Sequence, residues 1–278
     1  MKFAAGITLY NPDEARVQHA LEYSGSFDLV FLFNNSEPGY KVPLLDNPGV
    51  LPENYIILTE NENCGLPYAF NRIINDDRCE TMDFLCTLDQ DSVFEHADIS
   101  QLKKYIETCG FVDSIGVIAP YVDYGFGSHI NSNTAEAKRW VIASGSFINL
   151  NVIRKEKMGY DNKYFIDKFE IDLCRQMTTK NYAVLMYHGS VLHQSLGESS
   201  GHHHPNHSPL RHYYLFRNRF YFNNKWNYGI KGAALSLAQT IKHEMLIALY
   251  ENNKIAKMKM LLPAIRDYKN ESMGKNTK

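Results

Sequence analysis

Leu88-Asp89-Gln90-Asp91-Ser92 follows directly on the apolar run 82–87, and the fold prediction for the whole chain begins at this stretch. The run is typical of a buried strand. Open α/β sheets bind their ligands at the carboxyl ends of strands, and side chains spaced by two residues share one face. Asp89 and Asp91 can therefore bind one divalent cation together, or one can bind a sugar hydroxyl and the other the metal. A polar exit from strand to turn is the structural alternative.

Strands and helices alternate along the chain on both sides of this stretch. The pattern predicts strands over 3–9, 28–33, 55–59, 82–88, 115–121, 140–143 and 182–187, and helices over 14–23, 68–75 and 99–109. This alternation indicates an α/β fold with a mostly parallel sheet and helices on both faces. Right-handed crossovers place the carboxyl ends of parallel strands at one edge, so polar residues from several loops are expected to form a nucleotide cleft there. The residues at such ends are Thr8, Tyr10, Asn11, Asn34, Asn35, the segment 63–71, Asp89 and Asp91.

The composition narrows the class of protein. The 278 residues are 44% hydrophobic, which is enough for a large α/β core with a smaller appendage. The 29 Lys and Arg nearly balance the 31 Asp and Glu, so no nucleic-acid partner is expected. The five cysteines are odd in number and lack Cys-x-x-Cys spacing, which favours a reducing compartment. With no apolar stretch of about 18 residues and no signal-like start, the chain is expected to be cytoplasmic.

A second informative stretch runs from Phe165 to Arg175 and is rich in acids and aromatics. A helix that begins near Lys168 would place Phe169, Leu173 and Met177 on one apolar stripe, with the acids facing elsewhere. A carboxylate in the first helical turn is stabilised by the helix dipole. Helix capping alone explains one or two of the three acids, Asp167, Glu170 and Asp172, so a functional carboxylate is expected among them.

Small residues and histidines mark two further loops. Gly145, between Ser144 and Ser146, permits either a close approach of the backbone to a ligand or a plain β-bulge. His193 follows a predicted strand, where a histidine usually has only a structural hydrogen bond. The polar segment 198–207 contains His202, His203, His204 and His207, whose spacing matches no familiar zinc pattern, so a mobile loop that closes over an anion is the preferred interpretation.

The C-terminal part of the chain is basic and amphipathic. Arg211, Tyr214 and Arg217 lie one helical turn apart and suit diphosphate recognition, with a solvated basic face as the alternative. An amphipathic helix is predicted over 233–250. The segment 251–278 carries seven Lys and Arg against three Asp and Glu, and its lysines alternate with apolar residues. This tail either lies on an anionic membrane surface or packs against the catalytic domain.

The order and spacing of these stretches resemble the family 2 glycosyltransferases of GT-A fold, and most closely their bacterial rhamnosyltransferase-like branch. The matching segments are Thr8 to Pro12, Asn35-Ser36, Asn63-Cys64-Gly65 with Ala69 and Asn71, Leu88 to Ser92, Ser144-Gly145, Phe165 to Cys174, His193 with Leu196-Gly197, and Arg211-x-Tyr213-Tyr214-x-x-Arg217-Asn218. The resemblance implies a GT-A mixed sheet flanked by helices over 1–210, followed by a C-terminal helical extension over 211–278.

The resemblance also assigns roles to individual residues. Asp89 would hold the donor ribose or a metal-bound water, and Asp91 and His193 would ligate Mn2+ or Mg2+. Glu170 would be the base that deprotonates the acceptor hydroxyl, with Asp167 as the second candidate, and Asn34 stands where many relatives have a base-reading aspartate. The implied donor-binding residues are Thr8, Tyr10, Asn11, Asn35, Gly65, Asn71, Asp89, Gln90, Ser144, Arg211, Tyr214 and Arg217.

The leading functional hypothesis is a metal-dependent inverting glycosyltransferase. It would transfer rhamnose or a hexose from dTDP-rhamnose or a UDP-sugar to a surface-polysaccharide or lipid-linked glycan precursor at the inner face of the cell membrane. A sugar nucleotidyltransferase is the alternative enzyme, although no glycine-rich phosphate loop follows the first strand. A non-catalytic nucleotide-sugar or carbohydrate-binding module of the same fold is the alternative from another class, and metal storage by the histidines is a distant third.

Overall fold

The computed structural model of the protein describes residues 1–42, 51–125, 129–194, 199–200 and 204–276. The chain divides into two compact units. The first comprises Met1–Asp161 with Glu170–Ser195, and the second comprises Asn162–Phe169 with Leu196–Lys278. These units are defined by packing. The division into separate domains at residues 210 and 211, which the sequence analysis gave, stays a prediction. Predicted positions at Leu196, Gly197, His202 and His203 lie outside the described residues.

The first unit is built on one mixed sheet. Within the described residues its strands run in the order β3-β2-β1-β4-β7-β5-β8-β6. The strands are β1 (Phe3–Leu9), β2 (Leu29–Asn34), β3 (Tyr55–Thr59), β4 (Phe84–Asp89), β5 (Ile115–Asp123), β6 (Ala135–Ala137), β7 (Ser146–Asn149) and β8 (Ala183–His193). This arrangement confirms the predicted α/β class.

The strand directions decide where the polar ends lie. Strands β1 to β4 are mutually parallel, and β7 pairs antiparallel with both β4 and β5, so β5 and its parallel neighbour β8 run in the same direction as β4. The carboxyl ends of β1, β2, β3, β4, β5 and β8 therefore share one edge. Because β7 runs the other way, its amino end at Ser146 lies at that edge too, opposite Thr87.

Helices cover both faces of this sheet. In the first unit they are α1 (Glu14–Leu21), α2 (Leu66–Ile74), α3 (His96–Thr108), α4 (Leu150–Glu156) and α5 (Phe169–Thr179), whose first residue belongs to the second unit. Alternate β1 residues such as Phe3 and Ile7 join a buried cluster with Val17 of α1 and Leu102 of α3. On the other face, Gly6 lies so close to Ile73 of α2 that an added Cβ would come within 2.9 Å of its side chain. A strand buried on both faces explains the continuous apolar runs in the sequence.

The predicted elements hold with shifts of a few residues, and one is wrong. The segment 140–143 is not a strand; the strand begins at Ser146 instead. The reason is local: Gly145 adopts φ +77°, donates its N–H to the Thr87 carbonyl, and forms the turn that starts β7, so it is neither a bulge nor mid-strand. β8 is longer than predicted, so His193 ends the strand rather than following it.

The second unit is helical in its described part. It contains α6 (Pro209–Trp226), α7 (Ile230–Tyr250), α8 (Lys254–Met258) and α9 (Leu261–Lys269), with two-residue strands β9 (Ser199–Ser200) and β10 (His204–Pro205). Phe165, Tyr213, Phe216, Ile247 and Ala264 form its buried core. No helix in the described ranges is both long enough and apolar enough to cross a bilayer.

Buried Asn218 of α6 fixes the segment Asn162–Phe169 within this unit. Phe165, Asp167 and Lys168 all have φ between 53° and 73°, a conformation that costs energy for residues other than glycine. Asn218 Nδ2 donates to the carbonyls of Ile166 and Asp167. These two bonds compensate the strained backbone just before α5 begins.

Candidate functional site

The loops after β1 and β4 are joined at the carboxyl edge of the sheet. The Tyr10 backbone N–H donates to Gln90 Oε1 at 2.9 Å, and Gln90 Nε2 donates to the Tyr10 carbonyl at 3.1 Å. This two-way bond uses the Gln90 amide to hold the loops in register. It places the Tyr10 backbone beside the turn that carries Asp91, and the exposed Tyr10 side chain donates from its hydroxyl to Glu37 Oε1 at 3.4 Å.

The loops after β1 and β2 are joined in a similar way. Ser36 Oγ accepts from the Asn11 N–H at 3.0 Å, and Asn11 Oδ1 accepts from the Glu37 N–H at 3.1 Å. Asn34 Oδ1 accepts from the Ser36 N–H at 3.1 Å. These asparagines order the rim of the edge with their side chains, as short polar side chains do in turns.

Asn35, Gly65 and Asn71 connect the next loops and the helix α2. Asn35 is buried, and its Oδ1 accepts from the Cys64 N–H at 2.8 Å. Gly65 caps α2 with φ +83°. Asn71 donates to the Tyr160 carbonyl at 2.7 Å and accepts from the Tyr160 N–H at 3.0 Å. Asn71 thus connects α2 to the chain before α5. Thr8, another predicted donor-binding residue, is buried in β1.

Asp89, the last residue of β4, is held by two polar contacts from other elements. Its backbone N–H donates to Ser144 Oγ at 3.1 Å, and Gln194 Nε2 lies 3.4 Å from its Oδ2. Ser144 Oγ also bonds the buried Ser92 hydroxyl at 2.7 Å. The end of β4, the turn before β7 and the end of β8 therefore meet at Asp89.

Asp91 and His193 lie on chain segments that pair with each other. Val93, two residues after Asp91, exchanges two backbone hydrogen bonds of 2.9 Å with His193. Both Asp91 and the His193 side chain are exposed. The predicted pair is therefore carried by neighbouring backbone segments at one edge of the sheet.

Asp123 is a residue of this group that sequence reasoning did not select. It ends β5, pairs in register with His193, and its Oδ2 lies 3.3 Å from His193 Nδ1. The available signal was that Asp123 ends the apolar run of β5 as Asp89 ends that of β4. Gln194, which contacts Asp89, is likewise not among the residues that the sequence selected.

The side chains at this edge carry the types of ligand atom that bind a divalent cation. When Nδ1 of His193 donates to Asp123, Nε2 keeps its lone pair, the arrangement in which a carboxylate orients a metal-binding histidine. Carboxylate oxygen and imidazole nitrogen are donors that Mn2+ accepts, and Mg2+ prefers oxygen. Across the described ranges, however, no three His, Cys, Asp or Glu side chains are gathered closely enough to hold an ion. A bound cation would need further oxygens from a ligand.

Glu170 lies in the first turn of α5 and is half-buried. It lines a small cavity with Ala143, Ser146, Tyr160 and Cys174. Ser146 begins β7 at the same edge of the sheet as Asp89, so the cavity adjoins that edge. The cavity is small, about 10 Å³, and most of its remaining lining is apolar, formed by Val117, Val141, Ile142, Ile148 and Leu173, so Glu170 shares a mainly apolar cavity with two hydroxyls and a thiol.

The groups around Glu170 are held neutral. Burial raises the pKa of the Tyr160 hydroxyl well above its usual value and that of the Cys174 thiol to about 12. The negative charge of Glu170 raises both pKa values further. Both neighbours therefore keep their protons at neutral pH, where the O–H and the S–H can donate hydrogen bonds.

Asp167 and the predicted diphosphate-binding residues of α6 belong to the second unit. Asp167 Oδ1 lies 2.9 Å from Arg211 Nη2 in an ion pair. Tyr214 and Arg217 are buried, and the Arg217 guanidinium lies 5.0 Å from the centre of the Tyr214 ring. The alternative of a solvated basic face is therefore wrong for Arg217, since a fully buried guanidinium is not solvated.

Known proteins provide an independent check on the fold. No family model matches the sequence, and no curated protein matches it. Among solved structures, residues 1–349 of S. aureus TarS in complex with UDP-GlcNAc are similar with a TM-score of 0.56 and 12% identity, over 96% of this chain and 80% of that one. GalNAc-T7 with UDP, GalNAc and Mn2+ is similar with a TM-score of 0.57 and 10% identity, over 79% of this chain but only about half, 51%, of that one.

These similarities confirm the predicted GT-A fold class, a mixed α/β sheet flanked by helices. At 10–12% identity they show the fold alone. Chemistry has to be argued from the residues of this chain.

Proposed function

We propose that this protein is a metal-dependent inverting glycosyltransferase that uses a nucleotide-diphosphate sugar. The observation that carries the proposal is the pairing of the Asp91 turn with the His193 end of β8, beside Asp89, at the carboxyl edge of a GT-A sheet. Acceptors of the surface-polysaccharide or lipid-linked glycan class, and a rhamnosyl or hexosyl donor, follow from the sequence resemblance. The solved relatives hold UDP-GlcNAc in one case and UDP with Mn2+ in the other, which favours a UDP-sugar.

In this proposal, the sugar donor binds at the carboxyl edge of the sheet. Asp91 and His193 would hold Mn2+ or Mg2+, and Asp89 would hold the donor ribose or a metal-bound water. When bound there, the cation would supply positive charge that offsets the negative charge on the departing diphosphate. Asp123 orients the His193 ring. Ser144 fixes the backbone of Asp89, and Gln194 fixes its carboxylate. The exposed Tyr10 ring stacks on the donor, in a loop fixed by Gln90 and Asn11.

Glu170 is the base in this proposal. As a carboxylate it accepts the proton of the acceptor hydroxyl, and the resulting oxygen attacks the anomeric carbon as the bond to the diphosphate breaks. The dipole of α5 favours the ionised form, because Glu170 lies in the first turn of that helix. Asp167 is the second candidate, and its Oδ1 is engaged in the ion pair with Arg211.

The remaining predicted donor-binding residues divide by role. Thr8, Asn35 and Gly65, which are buried, and Asn71, which is half-buried, shape the donor site from behind, and Asn35 and Asn71 do so through hydrogen bonds to backbone groups. Arg211, which is exposed, is proposed to contact the diphosphate. Tyr214 and Arg217 are proposed to support that helix from within the second unit rather than to touch the donor.

A donor panel tests the proposed reaction. Purified protein is incubated with dTDP-rhamnose, UDP-GlcNAc, UDP-glucose and GDP-mannose, with Mn2+ or with EDTA, and release of the nucleoside diphosphate is measured. We expect Mn2+-dependent release from one donor, increased by the matching acceptor glycan. Release of pyrophosphate from a sugar phosphate and a nucleoside triphosphate would instead identify a nucleotidyltransferase. Tight donor binding without any release would identify a non-catalytic binding module.

The C-terminal helices are proposed to contact the anionic face of a membrane. Leu237, Ile241, Met245 and Leu249 recur every four residues along α7, and their side chains are 53–65% exposed. Large exposed apolar stripes usually mark an interaction surface. Lys242, Lys254 and Lys259, all exposed, add positive charge to the same unit. An apolar stripe with nearby lysines suits the interface of an anionic bilayer.

Vesicle co-sedimentation tests the membrane contact. The protein is expected to pellet with vesicles of phosphatidylcholine and phosphatidylglycerol, and much less with phosphatidylcholine alone. Replacing Leu237 and Ile241 together by serine should weaken binding at least about ten-fold, since each buried side chain contributes about 1.5–3 kcal/mol. Ile130→Ser, at an exposed apolar side chain of the first unit, is the control. If ultracentrifugation instead shows that the wild type is a dimer and the double variant a monomer, the stripe binds a second copy of this chain and not a membrane.

A further inference from the structure

The second unit contains a basic pocket that the proposed reaction does not use. It lies between α6 and α7 and is lined by Lys168, His207, Arg219, Lys242, His243 and Glu251. Three of these side chains are cations of lysine or arginine, against one carboxylate. All the lining residues belong to the second unit, and among them only His207 was singled out in the sequence, as part of the segment 198–207 predicted to close over an anion.

Arg219 brings a positive charge into the pocket, and Glu244 of α7 acts on it electrostatically without forming a salt bridge. Its guanidinium donates to Thr240 Oγ1 at 3.2 Å and lies 2.7 Å from His243 Nδ1, and both groups are uncharged partners. Within the part of the chain that the structure describes, no carboxylate forms a salt bridge with it. Burial lowers the pKa of Arg219 to about 10, so the group still carries its charge at neutral pH. A half-buried cation of this kind is stabilised by an anion.

The two histidines of the lining are neutral. Burial, together with the positive charges of the neighbouring arginines, lowers the pKa of His243 to about 3 and that of His207 to about 4. A neutral imidazole still offers one N–H donor or one acceptor. Because the His243 Nδ1 lone pair accepts from Arg219, its other nitrogen carries the proton and bonds His212 at 3.0 Å.

One oxygen of the Glu251 carboxylate already has charged and hydrogen-bonding partners. Its Oε2 lies 2.7 Å from Lys257 Nζ and 2.9 Å from His212 Nε2, and all three side chains are buried. Its Oε1 is buried with no hydrogen bond among the described residues. The pocket therefore presents cations that can bind an anion, and one acceptor oxygen that can bind a hydroxyl.

We propose that this pocket binds the phosphate group of a phosphorylated sugar or polyol. Arg219, Lys168 and Lys242 contact the phosphate oxygens, and a ligand hydroxyl donates to Glu251 Oε1. Guanidinium and ammonium groups bind phosphate through charge-assisted hydrogen bonds. Such a ligand is a portion of a phosphate-bearing glycan, or a free sugar phosphate. The inference does not depend on the proposed transfer reaction, since it rests on residues of the second unit alone.

Calorimetric titration tests the pocket in the presence of EDTA, which removes any cation-dependent binding of phosphates elsewhere. Glucose 1-phosphate, glycerol 3-phosphate and inorganic phosphate are the probes. We expect glucose 1-phosphate or glycerol 3-phosphate to bind more tightly than inorganic phosphate, because only the first two carry hydroxyls. The tighter of the two organic probes then distinguishes a sugar phosphate from a glycerol phosphate source. Equal affinity of all three would contradict the hydroxyl contact with Glu251.

Matched variants locate the binding. Lys242→Ala, at an exposed side chain that does not threaten the fold, and Arg219→Gln are each expected to weaken binding at least about ten-fold. Lys231→Ala, at an exposed lysine of the same helix, is expected to leave the affinity for the phosphate probes unchanged. Unaltered affinity in Lys242→Ala overturns the proposal, as does a complete absence of binding by the wild type. Circular dichroism confirms that each variant is folded.

Discussion

Asp91→Ala is expected to reduce sugar transfer by about a thousand-fold or more while the protein stays folded. Charge stabilisation by a metal contributes several kcal/mol at the transition state, and each 1.36 kcal/mol is a ten-fold change in rate. The Asp91 side chain is exposed and makes no hydrogen bond or salt bridge within the described residues. Its removal therefore changes the affinity for Mn2+ or Mg2+ and leaves the packing of β4 intact.

The measurement is turnover of the preferred donor as a function of Mn2+ concentration, alongside the thermal midpoint. The matched control is Glu80→Ala, an exposed acid that precedes β4 at the opposite end of the strand, and its turnover should equal that of the wild type. Asp123→Asn is expected to give an intermediate loss, because the His193 ring loses its carboxylate partner. Near-wild-type turnover of Asp91→Ala would refute the metal role.

Glu170→Gln is expected to retain donor binding and to lose transfer by about 100- to 10,000-fold, the contribution that a positioned general base makes. Glutamine preserves the size of the side chain and its half-buried position in the cavity with Ser146 and Tyr160. It cannot accept the proton of the acceptor hydroxyl. The donor should therefore bind with unchanged affinity, so that the effect falls on turnover rather than on binding.

Calorimetry with the donor and single-turnover kinetics with the acceptor separate these two quantities. Asp167→Asn is the matched comparison, and a smaller loss is expected there because Asp167 is engaged by Arg211. Unaffected kinetics in Glu170→Gln combined with a large loss in Asp167→Asn would transfer the role of base to Asp167. Loss of donor binding in Glu170→Gln would show that the residue holds the donor instead.

Local patterning predicted much of the first unit. Buried strands were predicted at 3–9 and 55–59 and are present with those bounds, because continuous apolar runs are what a strand buried on both faces requires. The stripe of Phe169, Leu173 and Met177 is buried as its helical spacing predicts. The strand predicted at 140–143 is wrong because a short apolar run cannot be told from a loop by periodicity alone, and Gly145 forms a turn just after it.

The sequence by itself determined the succession of strands and helices, and with it the edge at which Thr8, Asn34, Asp89 and His193 end their strands or lie beside those ends. Periodicity and turn residues act over a few residues, so they are legible without the fold. Only the tertiary structure decided that Asp123 faces His193, that Asn71 bonds the Tyr160 backbone, and that Arg217 is buried while Arg219 lines a pocket. Those partners lie far apart in the chain, and contacts of that kind are fixed by how whole elements pack.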